Sequence, residues 1–144
     1  MAWLVILNVA LLGSMDGALA ATRRVGASRA ARVGREFKVG AGRAVTFDAG
    51  NLRLKFLRVA SDSRCPKGVD CVWAGNAEVL IEVGARGGRG KMILRLNTNA
   101  SQERSAEGKY RGYTVRLLEL TPYPRAGLKT KPGEYTATLL VVKD

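Results

Sequence analysis

The chain reads as an all-β protein, a single antiparallel β-sandwich of about seven strands, with a partly closed β-barrel as the alternative. Three observations lead there. From Phe37 onward the apolar residues recur with a period of two, glycine-rich turns bound the segments, and no stretch carries the 3.6-residue period of a long amphipathic helix.

The first two strands are predicted around Glu36-Phe37-Lys38-Val39 and Arg43-Ala44-Val45-Thr46-Phe47, as a pair joined by Gly40-Ala41-Gly42. Asp48-Ala49-Gly50-Asn51 makes the next turn. In the third, Leu52, Leu54 and Phe56 alternate with Arg53 and Lys55, after which Leu57 and Val59 take the opposite phase around Arg58. A β-bulge near Phe56-Leu57 restores a single buried face. A fourth strand places Ala77, Val79, Ile81 and Val83 on one side and Glu78 and Glu82 on the other, and Met92, Leu94 and Leu96 return beside it after Gly87-Gly88-Arg89-Gly90 as a hairpin.

Thr98 to Lys109 is polar and aperiodic and reads as a long loop, with a glycosylation sequon at Asn99-Ala100-Ser101. In Tyr113 to Leu120, Arg116 and Glu119 both reach water only if Leu117-Leu118 breaks the pleat, so a second bulge is predicted. The last strand, Glu134 to Lys143, is apolar on both faces at its end, as a central strand is. Pro122-Tyr123-Pro124 and Pro132-Gly133 shape the connection into it.

Ahead of this body lie two other segments. Trp3 to Leu12 is a nearly unbroken apolar run followed by Ala18-Leu19-Ala20, the small-x-small form of a signal-peptidase site, so residues 1–20 read as a signal peptide and Ala21 as the mature start. The run is about half of the roughly 20 residues a membrane-crossing helix needs. No Lys or Arg precedes it, a departure from the usual positive flank. Residues 21–35 then form a basic arm with Arg23, Arg24, Arg29, Arg32 and Arg35 and no acid, expected to be disordered, ahead of a domain at 36–144.

Export puts Cys65 and Cys71, the only cysteines, in an oxidising space, where they are expected to pair. The chain has no histidine, and two thiolates alone complete no zinc site. Asp62 and Asp70 offer oxygen ligands, yet their spacing matches no calcium loop. No metal or cofactor is therefore expected.

The stretch from Asp62 to Ala77 holds both cysteines and Trp73, and two readings compete for it. In the structural one Pro66 and Gly68 turn the ring, Trp73 packs across the bridge and over one end of the core, and Arg64 pairs with Asp62 or Asp70. In the functional one Asp62, Arg64, Lys67, Asp70 and Trp73 form a ligand-facing edge for a sugar, peptide or anionic group.

Catalysis without histidine is left to carboxylate pairs or a Ser-Lys dyad; Asp62 with Asp70 defines a small-hydrolase alternative that requires an acid of raised pKa in a pocket. The expectation is a non-enzyme: a secreted or periplasmic binding or envelope-associated module. The alternative is a polyanion binder working through the basic arm. The formal charge of +12 suits an anionic envelope component as partner. Nucleic acid is disfavoured, because the arm lacks interleaved aromatics and export removes the target.

Asp62-Ser63-Arg64-Cys65-Pro66, followed by Cys71, Trp73-Ala74-Gly75 and Ala77, resembles a group of small exported bacterial hypothetical proteins that carry this motif. The likeness runs loosely from Phe37 through Tyr110-Arg111-Gly112-Tyr113 and Leu120-Thr121-Pro122 to the end. It implies export and a β-rich domain, and transfers no functional residue.

Overall fold

A computed structural model describes residues 30–47 and 51–144. The expected signal peptide, Arg23, Arg24 and Arg29 of the arm, and the turn residues Asp48, Ala49 and Gly50 lie outside the described residues.

Eight strands are present among the described residues: β1 (Glu36–Gly40), β2 (Ala44–Thr46), β3 (Leu52–Asp62), β4 (Ala77–Ala85), β5 (Met92–Asn97), β6 (Glu107–Tyr110), β7 (Tyr113–Thr121) and β8 (Thr136–Lys143). They form two four-stranded antiparallel sheets, ordered β1-β8-β7-β6 and β2-β3-β4-β5. Among the described residues there is no α-helix, only a short 3-10 turn at Pro132–Glu134. The architecture is the sandwich, not the barrel.

Alternation fills the space between the sheets. Leu52, Leu54, Phe56, Val79, Ile81, Val83 and Leu96 of one sheet face Val39, Val115, Leu117, Leu120, Leu139 and Val141 of the other, all buried. Both predicted bulges occur. The β3–β4 register shifts between Phe56 and Arg58, which returns Val59 to the inner face opposite Val79, and the β7–β8 register shifts between Leu117 and Glu119, which returns Leu120 to it. The slips pass over Leu57 and Leu118 and leave Arg58 and Glu119 in water while keeping one apolar face whole. β8 lies between β1 and β7, as its two apolar faces require, and β4 and β5 form the expected hairpin.

Two expectations are corrected. β1 and β2 do not pair: β1 joins β8 and β2 joins β3, so Gly40-Ala41-Gly42 carries the chain from one sheet to the other. The Phe37 and Phe47 rings, edge to face at 5.2 Å, pack across that crossing. The region read as a loop from Thr98 contains β6, an edge strand paired to β7. Its apolar signal is weak because Gly108 stands where a side chain would meet Leu94, and only Tyr110 is buried.

Residues 30–35, placed by the sequence in the arm, are tied to the sandwich. The Ala31 N–H donates to the Thr46 carbonyl (3.2 Å) and the Gly34 N–H to the Val141 carbonyl (2.7 Å), with Ala31 and Val33 packed on the core.

Candidate functional site

The cysteine loop is the far end of the β3–β4 hairpin. Beyond the last strand residues the two legs stay paired, the Ser63 N–H donating to the Asn76 carbonyl (2.7 Å) and the Cys65 N–H to the Ala74 carbonyl (3.0 Å). Gly75 permits this approach: its φ is +70°, and a Cβ there would run into the Ser63 carbonyl. Cys65 and Cys71 are joined in a disulfide, with Cα atoms 5.9 Å apart, and the Val69 N–H turns back to the Pro66 carbonyl (3.3 Å) inside the ring. The loop is thus a covalently closed tip on a strand pair.

Two segments support this tip. On one side the Lys67 N–H donates to the Pro124 carbonyl (3.0 Å), which places the ring beside the 122–131 connection. On the other, the buried amide of Asn76 donates to Asn97 Oδ1 (2.8 Å), the Asn99 N–H donates to Asn76 Oδ1 (3.0 Å), and Asn99 Nδ2 reaches the Gly75 carbonyl (3.2 Å).

Beneath the tip lies a buried ion pair. Arg64 donates from Nε to Asp62 Oδ1 (2.8 Å) and from Nη2 to Asp62 Oδ2 (2.6 Å), while Nη1 serves the Leu120 carbonyl (2.6 Å) and Nη2 also serves the Pro122 carbonyl (3.0 Å). The Tyr135 hydroxyl donates to Asp62 Oδ2 (3.1 Å). Burial pushes the Asp62 carboxyl up, but the Arg64 hydrogen bonds and charge together with the Tyr135 hydroxyl outweigh it and hold its pKa below the ordinary aspartate value. Burial, then the Asp62 carboxylate, raise the Tyr135 hydroxyl above its usual value.

The five sequence-predicted residues therefore separate. Asp62 and Arg64 come together as the structural reading anticipates, bonded to Tyr135 and to the Leu120 and Pro122 carbonyls, and each borders a groove. Lys67 sits over the Tyr123 ring, Nζ 5.8 Å from its centroid, with the Arg64 guanidinium 4.8 Å from the same ring. Asp70 is exposed and enters no ion pair among the described residues.

Trp73 corrects the structural reading: its side chain does not cover the bridge or the core but stands 82 % exposed, next to Val72 at 91 %. At the foot of the loop the buried, hydrogen-bonded groups are instead Arg64, Asn76 and Tyr135.

Tyr123, Tyr135 and Leu128 were not singled out by sequence. Tyr123 carried the best available signal, an aromatic residue fixed between Pro122 and Pro124. It borders two grooves: one of about 480 Å³ with Lys67, Gly75, Asn99, Leu118 and Glu119, and one of about 440 Å³ with Lys67, Arg125, Leu128, Lys129 and Glu134.

Chemically, the site lacks the acid of raised pKa that the hydrolase alternative asked for at Asp62, since that carboxyl is ionised and fully engaged. Among the described residues no group of three or more His, Cys, Asp or Glu side chains is placed to hold a metal ion. What the arrangement offers is a disulfide-closed tip with an exposed indole, an exposed valine next to it in the chain and Lys67 on the same loop. The chain matches no protein-family model, no curated protein and no solved structure.

Proposed function

We propose that this protein is an exported, non-catalytic binding module that engages an anionic envelope component through the closed tip of the β3–β4 hairpin. The observation that carries the reading is the exposure of Val72 and Trp73 on a tip held by a disulfide, a backbone ladder and two flanking segments. Folding gains nothing from a solvated indole, whereas a partner gains a large apolar contact at little ordering cost because the loop is already fixed. Lys67 stands on the same loop, and the charge of +12 draws an anionic partner in.

Export is supported by the disulfide, which fits an oxidising compartment, and by the signal-like residues 1–20. No helix of the described residues is long and apolar enough to cross a membrane. Asp62 and Arg64 leave the proposed contact set and act as its foundation. The test is retention of the protein on an envelope fraction from its source cells, wild type against Val72→Ser/Trp73→Ser. Retention is expected to fall about tenfold or more with the denaturation midpoint unchanged. Equal retention rejects the tip as the contact.

A second reading, polyanion capture by the basic arm, draws on one feature. Arg32, Arg35 and Lys38 border a groove of about 440 Å³ where residues 30–35 meet β1, with Glu36 the acid among them. It predicts heparin retention that depends on these cations and ignores Trp73.

A further inference from the structure

The end of the sandwich that carries the tip presents a group of large apolar side chains to solvent: Val69, Val72 and Trp73 from the hairpin, and Leu128, 66 % exposed, from the adjoining connection. The Lys67 hydrogen bond to Pro124, and the backbone bridges linking Lys67 with Arg125 and Arg125 with Leu128, hold the two segments side by side. Exposed apolar residues are ordinary when scattered; grouped at one end and rimmed by polar ones they mark an interaction surface.

The rim is cationic. Lys67, Arg125 and Lys129 border the groove that also holds Leu128, and Lys131 follows in the chain. The acids at this end include Asp70, Glu134 and Glu119, which borders the second groove with Lys67, and Glu134 Oε2 is already accepting from the Lys131 N–H (3.0 Å). An indole and aliphatic side chains projecting from a rigid tip, ringed by Lys and Arg, match the layered chemistry of a charged bilayer interface. Tryptophan favours the headgroup level, aliphatic groups the acyl boundary, and Lys or Arg the lipid phosphates. Val69, Val72 and Trp73 are exposed at the tip and Leu128 lies in the groove beside it, so the most exposed apolar groups, Val72 and Trp73, are placed to enter a fluid interface.

We infer that this end of the sandwich docks on an anionic lipid surface, with Val72 and Trp73 inserted and Lys67, Arg125 and Lys129 on headgroup phosphates. The inference rests on the tip being the binding face and names its occupant. The buried Arg64–Asp62 pair and the disulfide keep the tip from folding back when the surface is absent.

The test uses the full chain with Trp3→Phe, which leaves Trp73 as the single indole. It is titrated with vesicles of phosphatidylcholine alone, or of an equimolar mixture with phosphatidylglycerol, each with and without brominated acyl chains. Quenching depth at Trp73 is the readout, because pelleting through the apolar residues 3–12 does not move that signal. The expected result is a blue shift and bromine quenching on the mixed vesicles only. Apparent partitioning is expected to drop about fivefold for each of Lys67→Gln and Arg125→Gln and about tenfold for Val72→Ser. Trp73 emission that is unshifted and unquenched on both vesicle types overturns the inference, and equal quenching on both overturns its anionic part. Heparin separates the two levels of failure. If lipid fails while heparin retains the wild type and releases Trp73→Ala, the tip remains the binding face for a soluble polyanion; if heparin retains both equally, the binding-face reading falls as well.

Discussion

Arg64 grips both carboxylate oxygens of Asp62, two residues before it, and donates two further hydrogen bonds to the Leu120 and Pro122 carbonyls, so one guanidinium joins the foot of the cysteine loop to the end of β7. Both side chains are nearly excluded from water, 5 % and 9 % exposed. The value of such a pair lies less in its own attraction than in what its loss leaves behind.

Arg64→Ala strips donors from two carbonyls and leaves the Asp62 carboxylate with the backbone N–H of residue 64 and the Tyr135 hydroxyl but no countercharge. The expected loss is about 3–5 kcal/mol of folding free energy, read from urea denaturation. Asp62→Asn keeps the Leu120 and Pro122 contacts and is expected to cost less. If Arg64→Ala unfolds at the wild-type midpoint, the ion pair does not anchor the loop.

Acid should expose the same pair. The folded pKa of Asp62 lies below its ordinary value of 3.8, so the folded state favours the carboxylate. Its contribution is present above the unfolded pKa and fades as pH falls through the folded one, a loss that begins near pH 5 at about the level where the unfolded chain starts to take up protons. Tyr135 works from the other side: its folded pKa lies above 10.0, so its contribution is present below that pH and is lost as pH climbs through the folded value. Denaturation midpoints measured across pH are expected to decline in both directions, with the acid slope reduced in Asp62→Asn and the alkaline slope reduced in Tyr135→Phe. Unchanged slopes in both variants exclude this linkage.

The disulfide closes a small ring, and small rings restrict the unfolded chain only modestly. Cys65→Ser/Cys71→Ser is expected to cost about 2 kcal/mol or less. Amide hydrogen exchange should rise across residues 66–73 while β3 and β4 keep their protection, because the 63–76 and 65–74 backbone pairs lie outside the ring. Loss of protection along the whole hairpin is the contrary outcome.

How far the sequence foretold this molecule depends on whether a residue's own chemistry decides its place. The bulges at Phe56-Leu57 and Leu117-Leu118 were readable because Arg58, Arg116 and Glu119 cannot be buried, so the pleat must slip around them. β6 was hidden, since its inward position at Gly108 is set by Leu94 of another strand. Whether β1 and β2 pair or part was equally hidden: a three-residue glycine turn serves a hairpin and a crossing alike, and the choice belongs to β8, nearly a hundred residues on. At the site, Asp62 beside Arg64 announced an ion pair. The exposure of Trp73 did not announce itself, because the aromatic residue buried at the foot of the loop is Tyr135, 73 positions from its partner Asp62.

Two truncations separate the arm from the fold. The sandwich includes residues 30–35 through the Ala31 and Gly34 backbone bonds and the packing of Val33 on the core. Removing residues 22–29 deletes Arg23, Arg24 and Arg29 and should leave the denaturation midpoint in place, while heparin retention falls if the arm holds polyanions. Extending the cut to residue 35 removes two hydrogen bonds of about 1 kcal/mol each and an apolar contact of about 1 kcal/mol more, so the midpoint should drop clearly. This design matters for interpretation: a single deletion of 22–35 confounds lost charge with a loosened sheet edge, since Gly34 is bonded to Val141 on the central strand β8. Equal midpoints for both truncations would mean that the segment beside β2 and β8 adds nothing to the fold, and any change in heparin retention would then belong to its arginines alone.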